Sequence, residues 1–289
     1  MDKLKLQEKL NYIKEYDDAI NASCIQFYMK IGMEANGCSI TDIESFATLL
    51  FRQKGYEIIH IPMNSSEIGA MLVEINSSKY LVINTERTVA QNNFSIAHEL
   101  YHVLIQQTSL NPMDICKEGF ENDDNDLMAD AFAGRILIPT GELNRVYSFY
   151  EKYLNEISIQ NEKSAQYFNQ FFMVLMLMNN FRTTYMSVVI RCFEEKKFDI
   201  NNNELVDELL SHNTEDLIAC LCEQYANKTQ AESIMRKSRV DDFETFYLET
   251  EKQAKELVEN NMMSEDDFVY RMSGLKRAYS LIKGEALNE

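Results

Sequence analysis

Two histidines and a glutamate lie close together in the stretch Phe94-Ser95-Ile96-Ala97-His98-Glu99-Leu100-Tyr101-His102. His98 and His102 are four residues apart, a spacing that puts both side chains on one face of an α-helix. Two imidazoles on one face can bind a single Zn²⁺ at about 2.0–2.1 Å each. Glu99 is predicted to be the general base, which takes a proton from a water held by the metal. This HExxH pattern therefore predicts a metal centre on a helix.

A second helix is predicted downstream, because apolar residues recur every fourth position at Met128, Phe132 and Ile136. Asp126 and Asp130 are spaced i, i+4 and so share one face of that helix. One aspartate can ligate the metal, while the other accepts a hydrogen bond from a metal-binding histidine and fixes its tautomer. The spacing alone leaves open which aspartate has which role.

The region before the HExxH helix has a different periodicity. Residues 56–62, 69–75 and 80–84 are predicted to be strands, and their short connections favour antiparallel pairing. His60, within the first strand, is interpreted as a structural residue. Beyond Gly141 the chain is predicted to be helical to its end. The predicted fold class is α+β and predominantly helical, with a small antiparallel three-stranded sheet packed on the HExxH helix and a helical C-terminal region.

The strands, residues 93–102 and residues 126–139 together resemble the ImmA/IrrE metallopeptidases over about residues 40–198. The resemblance implies that His98, His102 and Asp126 are zinc ligands and that Glu99 is the catalytic base. Asp130 is then left as the partner that orients a histidine. The resemblance also implies a protein substrate, namely a DNA-binding repressor of the helix-turn-helix class. It extends more weakly to residues 180–191, which are similar to a helix-turn-helix-like element that follows the peptidase core in the family.

The chain departs from the family pattern at two positions. Asp126 replaces a glutamate that is one methylene longer, and Tyr101 replaces a glycine. These departures motivate an alternative in which a weak or inactive zincin-fold module binds a repressor or another partner without cleaving it. A zinc hydrolase of a small amide is a third possibility.

Three regions are predicted along the chain. Residues 1–39 form an N-terminal helical extension, residues 40–198 a zincin-like domain that ends in the helix-turn-helix-like segment, and residues 199–289 a helical accessory domain without an assigned role. The division at residue 198 depends on the polar segment at residues 199–203, which has the composition of a linker.

Composition limits the partners and the compartment. Lys and Arg number 28 against 46 Asp and Glu, for a net charge of −18, which argues against a large phosphate-binding surface and hence against direct nucleic-acid binding. The first nine residues are rich in charge and contain no apolar export segment, and no apolar run approaches the roughly 20 residues of a membrane span. A cytoplasmic protein without membrane contact is expected, whereas the oligomeric state is not predicted.

Overall fold

The fold combines many helices with one small sheet. The computed structural model describes residues 1–33, 40, 42–65, 68–75, 78–106, 114–117, 124–157 and 163–284. The helices in these ranges are α1 (Lys3–Glu15), α2 (Asp17–Lys30), α3 (Ile43–Gln53), α4 (Val89–Tyr101), α5 (Asp124–Leu137), α6 (Thr140–Ile157), α7 (Lys163–Phe181), α8 (Tyr185–Glu194), α9 (Asn203–Ser211), α10 (Glu215–Thr229), α11 (Phe243–Glu259) and α12 (Glu265–Lys283). The strands are β1 (Tyr56–Ile61), β2 (Ile68–Ile75), β3 (Ser78–Asn84) and β4 (Asp114–Lys117). The predicted α+β, predominantly helical class is confirmed.

The sheet is mixed, with strand order β1-β3-β2-β4. The prediction of antiparallel pairing throughout is wrong, because β1 and β3 are parallel, whereas β3 is antiparallel to β2 and β2 to β4. β4 lies outside the three predicted strands. The hairpin of β2 and β3 can offer either strand to β1, and short connections do not decide which. β3 takes the position beside β1, and its last four residues, 81–84, are all buried.

Helix α4 covers one face of the sheet at very close range. Its N-terminus is a capping box, in which Thr88 and Gln91 exchange hydrogen bonds between side chain and backbone. A Cβ added to Gly69 of β2 would lie 2.0 Å from Ser95 Oγ and 3.0 Å from Ser95 Cβ. Glycine at residue 69 therefore sets the distance at which α4, and with it the HExxH motif, lies on the sheet.

The opposite face of the sheet is covered by α11 and α12. Sheet residues such as Ile59, Met71 and Val82 are buried in one apolar cluster with Phe243 of α11. Phe243 stacks on Tyr279 of α12, with ring centroids 3.7 Å apart and planes 6° apart. The C-terminal helices thus complete a three-layer arrangement around the sheet. The division of the chain at residues 39 and 198 stays a prediction.

Among the described residues, no helix has both the length and the apolar character needed to cross a bilayer.

Candidate metal centre

The two histidines of the HExxH motif meet at the C-terminal end of α4. His98 is 2% exposed, and its Nε2 lies 3.1 Å from Nε2 of His102. Helix α4 ends at Tyr101, and the chain continues as a π-helical turn over His102–Gln106. Turns of this kind occur frequently at functional sites. His102 therefore lies at the junction between two helical geometries, with its ring directed at His98.

Both imidazoles are oriented through their other nitrogen. His98 Nδ1 lies 2.9 Å from Asp130 Oδ1, and His102 Nδ1 lies 2.7 Å from Gln106 Oε1. Carboxylate and amide oxygens only accept hydrogen bonds, so each Nδ1 is the donor, and in the neutral ring each Nε2 presents a lone pair. Two lone pairs 3.1 Å apart repel each other, and a cation between them would bind both.

Asp126 of α5 completes a group of three donors. Its Oδ1 lies 3.9 Å from His98 Nε2 and 3.7 Å from His102 Nε2. In a tetrahedral zinc site with bonds of about 2.0–2.1 Å, neighbouring ligand atoms are about 3.3 Å apart. The three donor atoms therefore fit Zn²⁺ with small adjustments, and the shorter aspartate reaches the site. Within the ranges that the structure describes, no other group of His, Cys, Asp or Glu is arranged to hold a metal ion.

Asp130 is the residue that links the site to the rest of the fold. Besides His98 it contacts Lys9 of α1, whose Nζ lies 2.7 Å from Asp130 Oδ2. Burial alone would raise the pKa of the Asp130 carboxyl group. The charge of Lys9 and the hydrogen bond from His98 outweigh burial and hold that pKa well below its usual range. Asp130 is therefore ionised and accepts a hydrogen bond from His98 Nδ1.

The sequence did not point to two of these contacts. Gln106 follows His102 by four residues, so helical spacing was a signal that could have identified it. Lys9 precedes Asp130 by 121 residues, and no local pattern connects them. Only the packing of α1 against the site brings Lys9 to the carboxylate.

Glu99 and Tyr101 lie on α4 beside the two histidines. Glu99 is 1% exposed, and its role as a base stays a prediction. The Tyr101 ring lies 5.5 Å from that of Phe132 on α5 and 5.6 Å, edge-on, from the ring of His102. The tyrosine that replaces the glycine of the family therefore fills space between α4 and α5, the helix that carries Asp126.

The helix-turn-helix-like segment corresponds to α7 and α8. Arg191 of α8 is only 1% exposed and is paired with Glu194 and Glu195. Its Nε also donates to the Ile138 carbonyl at 3.2 Å. This arginine therefore ties α8 to the end of α5 in the protein interior, where it does not face a nucleic acid.

About half of the chain matches a known protein family. Residues 51–191 match the model of a peptidase family described as the IrrE N-terminal-like domain. A solved structure of a Mycobacterium tuberculosis transcriptional regulator is similar at a TM-score of 0.41 and 13% identity, over 64% of this chain and 51% of that one. The chain thus spans about half the length of that regulator. No curated protein matches the chain. Over residues 51–191 the chain is therefore identified as an IrrE N-terminal-like domain, which confirms the resemblance to the ImmA/IrrE family.

Proposed function

We propose that the chain is a cytoplasmic zinc-dependent endopeptidase that cleaves one specific protein. The observation that carries this proposal is the convergence of His98 Nε2, His102 Nε2 and Asp126 Oδ1 within 4.8 Å of one another. His98 lies on the same helix as Glu99, the predicted base, and His102 begins the π-helical turn that continues it. The IrrE N-terminal-like match supports the same class of reaction.

The residues of the site divide the chemistry between them. A bound Zn²⁺ would be held by His98, His102 and Asp126, where it supplies a Lewis acid that polarises a peptide carbonyl and lowers the pKa of a water molecule to about 7. Glu99 accepts the proton of the attacking water and returns a proton to the leaving amine. Asp130 keeps the His98 ring in the orientation that exposes its Nε2 lone pair.

The way into the site is on the Asp126 side. The Asp126 side chain is 46% exposed, whereas the side chains of His98 and His102 are 3% and 10% exposed. We therefore expect a substrate backbone to reach the donor atoms from the side of Asp126. Such one-sided access suits an extended segment of another protein.

A helix-turn-helix repressor is the proposed substrate. This choice follows from the family resemblance and agrees with the charge of the chain, which is −18. DNA-binding proteins carry basic surfaces, and opposite net charges raise the rate of encounter more than the affinity of the complex. Cleavage of one repressor would switch on the genes that it controls, in a mobile element or a stress response.

The competing candidate is a module that binds its partner without cleaving it. The specific observation that favours this candidate is Asp126, which replaces the glutamate of the family. Glu99→Gln separates the two, since it removes the base while keeping the size of the side chain. A protease loses function with Glu99→Gln, whereas a binding module keeps it.

The test begins with the metal content of protein purified without added metal. We expect about one zinc per chain, lost in His98→Ala and reduced in Asp126→Ala. Zinc-loaded protein is then incubated with a soluble extract of the cells that make it, and new N-termini are identified by mass spectrometry. The proposal expects a few new termini in one DNA-binding protein, all absent with Glu99→Gln. A wild-type protein that takes up no zinc when it is offered would contradict the proposal.

The three predicted regions of the chain have separate proposed roles. Residues 40–198 carry the reaction, and residues 1–39 and 199–289 support it. The burial of Phe243 against the sheet supports a role of the C-terminal helices in holding the sheet beneath α4.

A further inference from the structure

The Asp130 carboxylate is contacted by one side chain from inside the matched domain and by one from outside it. Asp130 belongs to α5, its Oδ1 accepts from His98 Nδ1 of α4 at 2.9 Å, and its Oδ2 lies 2.7 Å from Lys9 Nζ of α1. Lys9 lies outside residues 51–191, the part that matches the family model. A residue of the N-terminal extension therefore contacts the group that orients a metal ligand.

The position of Lys9 is determined by the core. Leu6 and Ile13, about one turn away on either side, are 0% and 6% exposed, so α1 is anchored on both sides of the lysine. The Lys9 and Asp130 side chains are 18% and 27% exposed. A partly buried ion pair interacts more strongly than a pair in open water, so this contact can restrict the carboxylate.

We propose that Lys9 is a positioning residue for the metal centre. Lys9 holds the Asp130 carboxylate, and through it the His98 ring, in the orientation that binds the metal. The inference rests on the proposed function in one respect, because it takes His98, His102 and Asp126 as the metal ligands. In addition, the N-terminal helix α1 affects the metal affinity of the site, although α1 donates no ligand.

The charge around Asp130 explains why the lysine matters. Asp126 is one helical turn away on the same face of α5, so the two carboxylates repel each other. With Lys9 removed, Asp130 loses its cationic partner and is free to rotate toward solvent. His98 then loses the acceptor that orients its ring. Loss of a partner that orients a metal-binding histidine typically costs about 10–100-fold in metal affinity.

The variant Lys9→Met removes the charge and keeps most of the apolar stem. Lys9 and Asp130 both border a cavity of about 390 Å³, so the substitution does not press on a filled core. Lys14→Met is the matched control, since Lys14 is on the same helix and exposed. Lys9→Arg tests whether a second cation restores the effect, and Lys9→Gln is a second variant without the charge.

The affinity of the full, metal-free chain for Zn²⁺ is measured by competition with a chelating dye. We expect the Kd for Zn²⁺ to rise by about tenfold or more in Lys9→Met and Lys9→Gln. It should stay within about threefold of wild type in Lys9→Arg and be unchanged in Lys14→Met. The visible absorption of Co²⁺-loaded protein should change in the first two variants only. In an Asp130→Asn background, Lys9→Met should have no further effect.

Metal-free samples are first checked for wild-type melting temperature, so that a change of affinity is not a loss of fold. Wild-type zinc affinity and Co²⁺ spectrum in both Lys9→Met and Lys9→Gln would overturn the inference while leaving the proposed function intact. A wild-type chain that binds no zinc would overturn both. Equal losses in Lys9→Met and Lys14→Met would also overturn it, because the effect would then come from the net charge of α1.

Discussion

His98 Nε2 and His102 Nε2 face each other at 3.1 Å, while the Nδ1 atom of each ring is occupied by an oxygen acceptor. The arrangement gathers two ring nitrogens at a distance that one cation can bridge. Folding of the chain and metal binding are therefore linked, because the folded state binds the metal far better than the unfolded chain.

Zinc should raise the melting temperature of the protein. At a free zinc concentration of 100 times Kd, the linkage contributes about 2.7 kcal/mol, which corresponds to about 4–5 °C for a chain of this size. Scanning calorimetry with and without zinc measures the shift. His98→Ala should abolish it, and an equal shift in His98→Ala would show that zinc binds elsewhere.

Gly69→Ala should destabilise the fold, because the new Cβ would lie 2.0 Å from Ser95 Oγ and 3.0 Å from Ser95 Cβ. Rotation of the hydroxyl relieves the first contact, whereas the second requires α4 to move. We expect a loss of about 1–3 kcal/mol in the free energy of unfolding, measured with urea.

Gly141→Ala is the matched control for Gly69→Ala. Gly141 lies in α6, and a Cβ there would meet nothing within 4 Å. Since alanine is the better helix former, we expect a gain of up to about 1 kcal/mol. A Gly69→Ala variant as stable as wild type would contradict the close approach of α4 to β2.

His60 should make stability depend on pH above neutrality. Its Nε2 lies 3.0 Å from Glu44 Oε1 of α3 and its Nδ1 lies 2.8 Å from Asp242 Oδ2, next to the start of α11. The hydrogen bond with Glu44 raises the pKa of His60, burial opposes it, and the bond with Asp242 raises it further. Because the folded pKa is the higher one, the contribution is complete below the unfolded value of about 6.5. It is lost as pH rises through the raised value.

His60→Gln should remove this part of the pH dependence. Glu44 and Asp242 are 47% and 42% exposed, so solvent screening keeps the expected effect below about 1 kcal/mol. Urea unfolding of the metal-free protein at pH 6 and pH 9 measures it. A wild-type stability that falls no more than that of His60→Gln between these values would refute the assignment.

Glu194 should be a strong determinant of stability. Its side chain is 11% exposed and pairs with two arginines, Arg135 of α5 and Arg191 of α8. Glu194→Ala would leave two poorly solvated guanidinium groups with only their remaining acceptors, among them Asp17 and Glu195. Breaking a buried pair from one side costs about 3–5 kcal/mol, and we expect a loss in that range by chemical denaturation.

Glu142→Ala is the comparison for Glu194→Ala. Glu142 pairs with Arg145, whose side chain is 70% exposed, and exposed pairs contribute about 0–1 kcal/mol. An equal loss of unfolding free energy in both variants would show that the buried ion pairs stabilise the fold no more than an exposed pair does.

The sequence by itself determined the parts of this protein that depend on local spacing. His98 and His102 share a helix face because they are four residues apart, and Asp126 and Asp130 share another for the same reason. The α+β class followed from the spacing of apolar residues, which is typical of strands within residues 56–84 and of helices before and after them. Such patterns concern neighbouring residues, so they can be read without knowing the path of the chain.

Tertiary structure alone decided which distant segments meet. Pairing of β1 with β3 instead of β2 depends on which edge of a hairpin is buried, and the placement of Phe243 on the sheet depends on a contact across more than 150 residues. Lys9 reaches Asp130 only because α1 packs beside α5. These contacts arise from the shape and charge of surfaces that exist only after folding, so no local pattern encodes them.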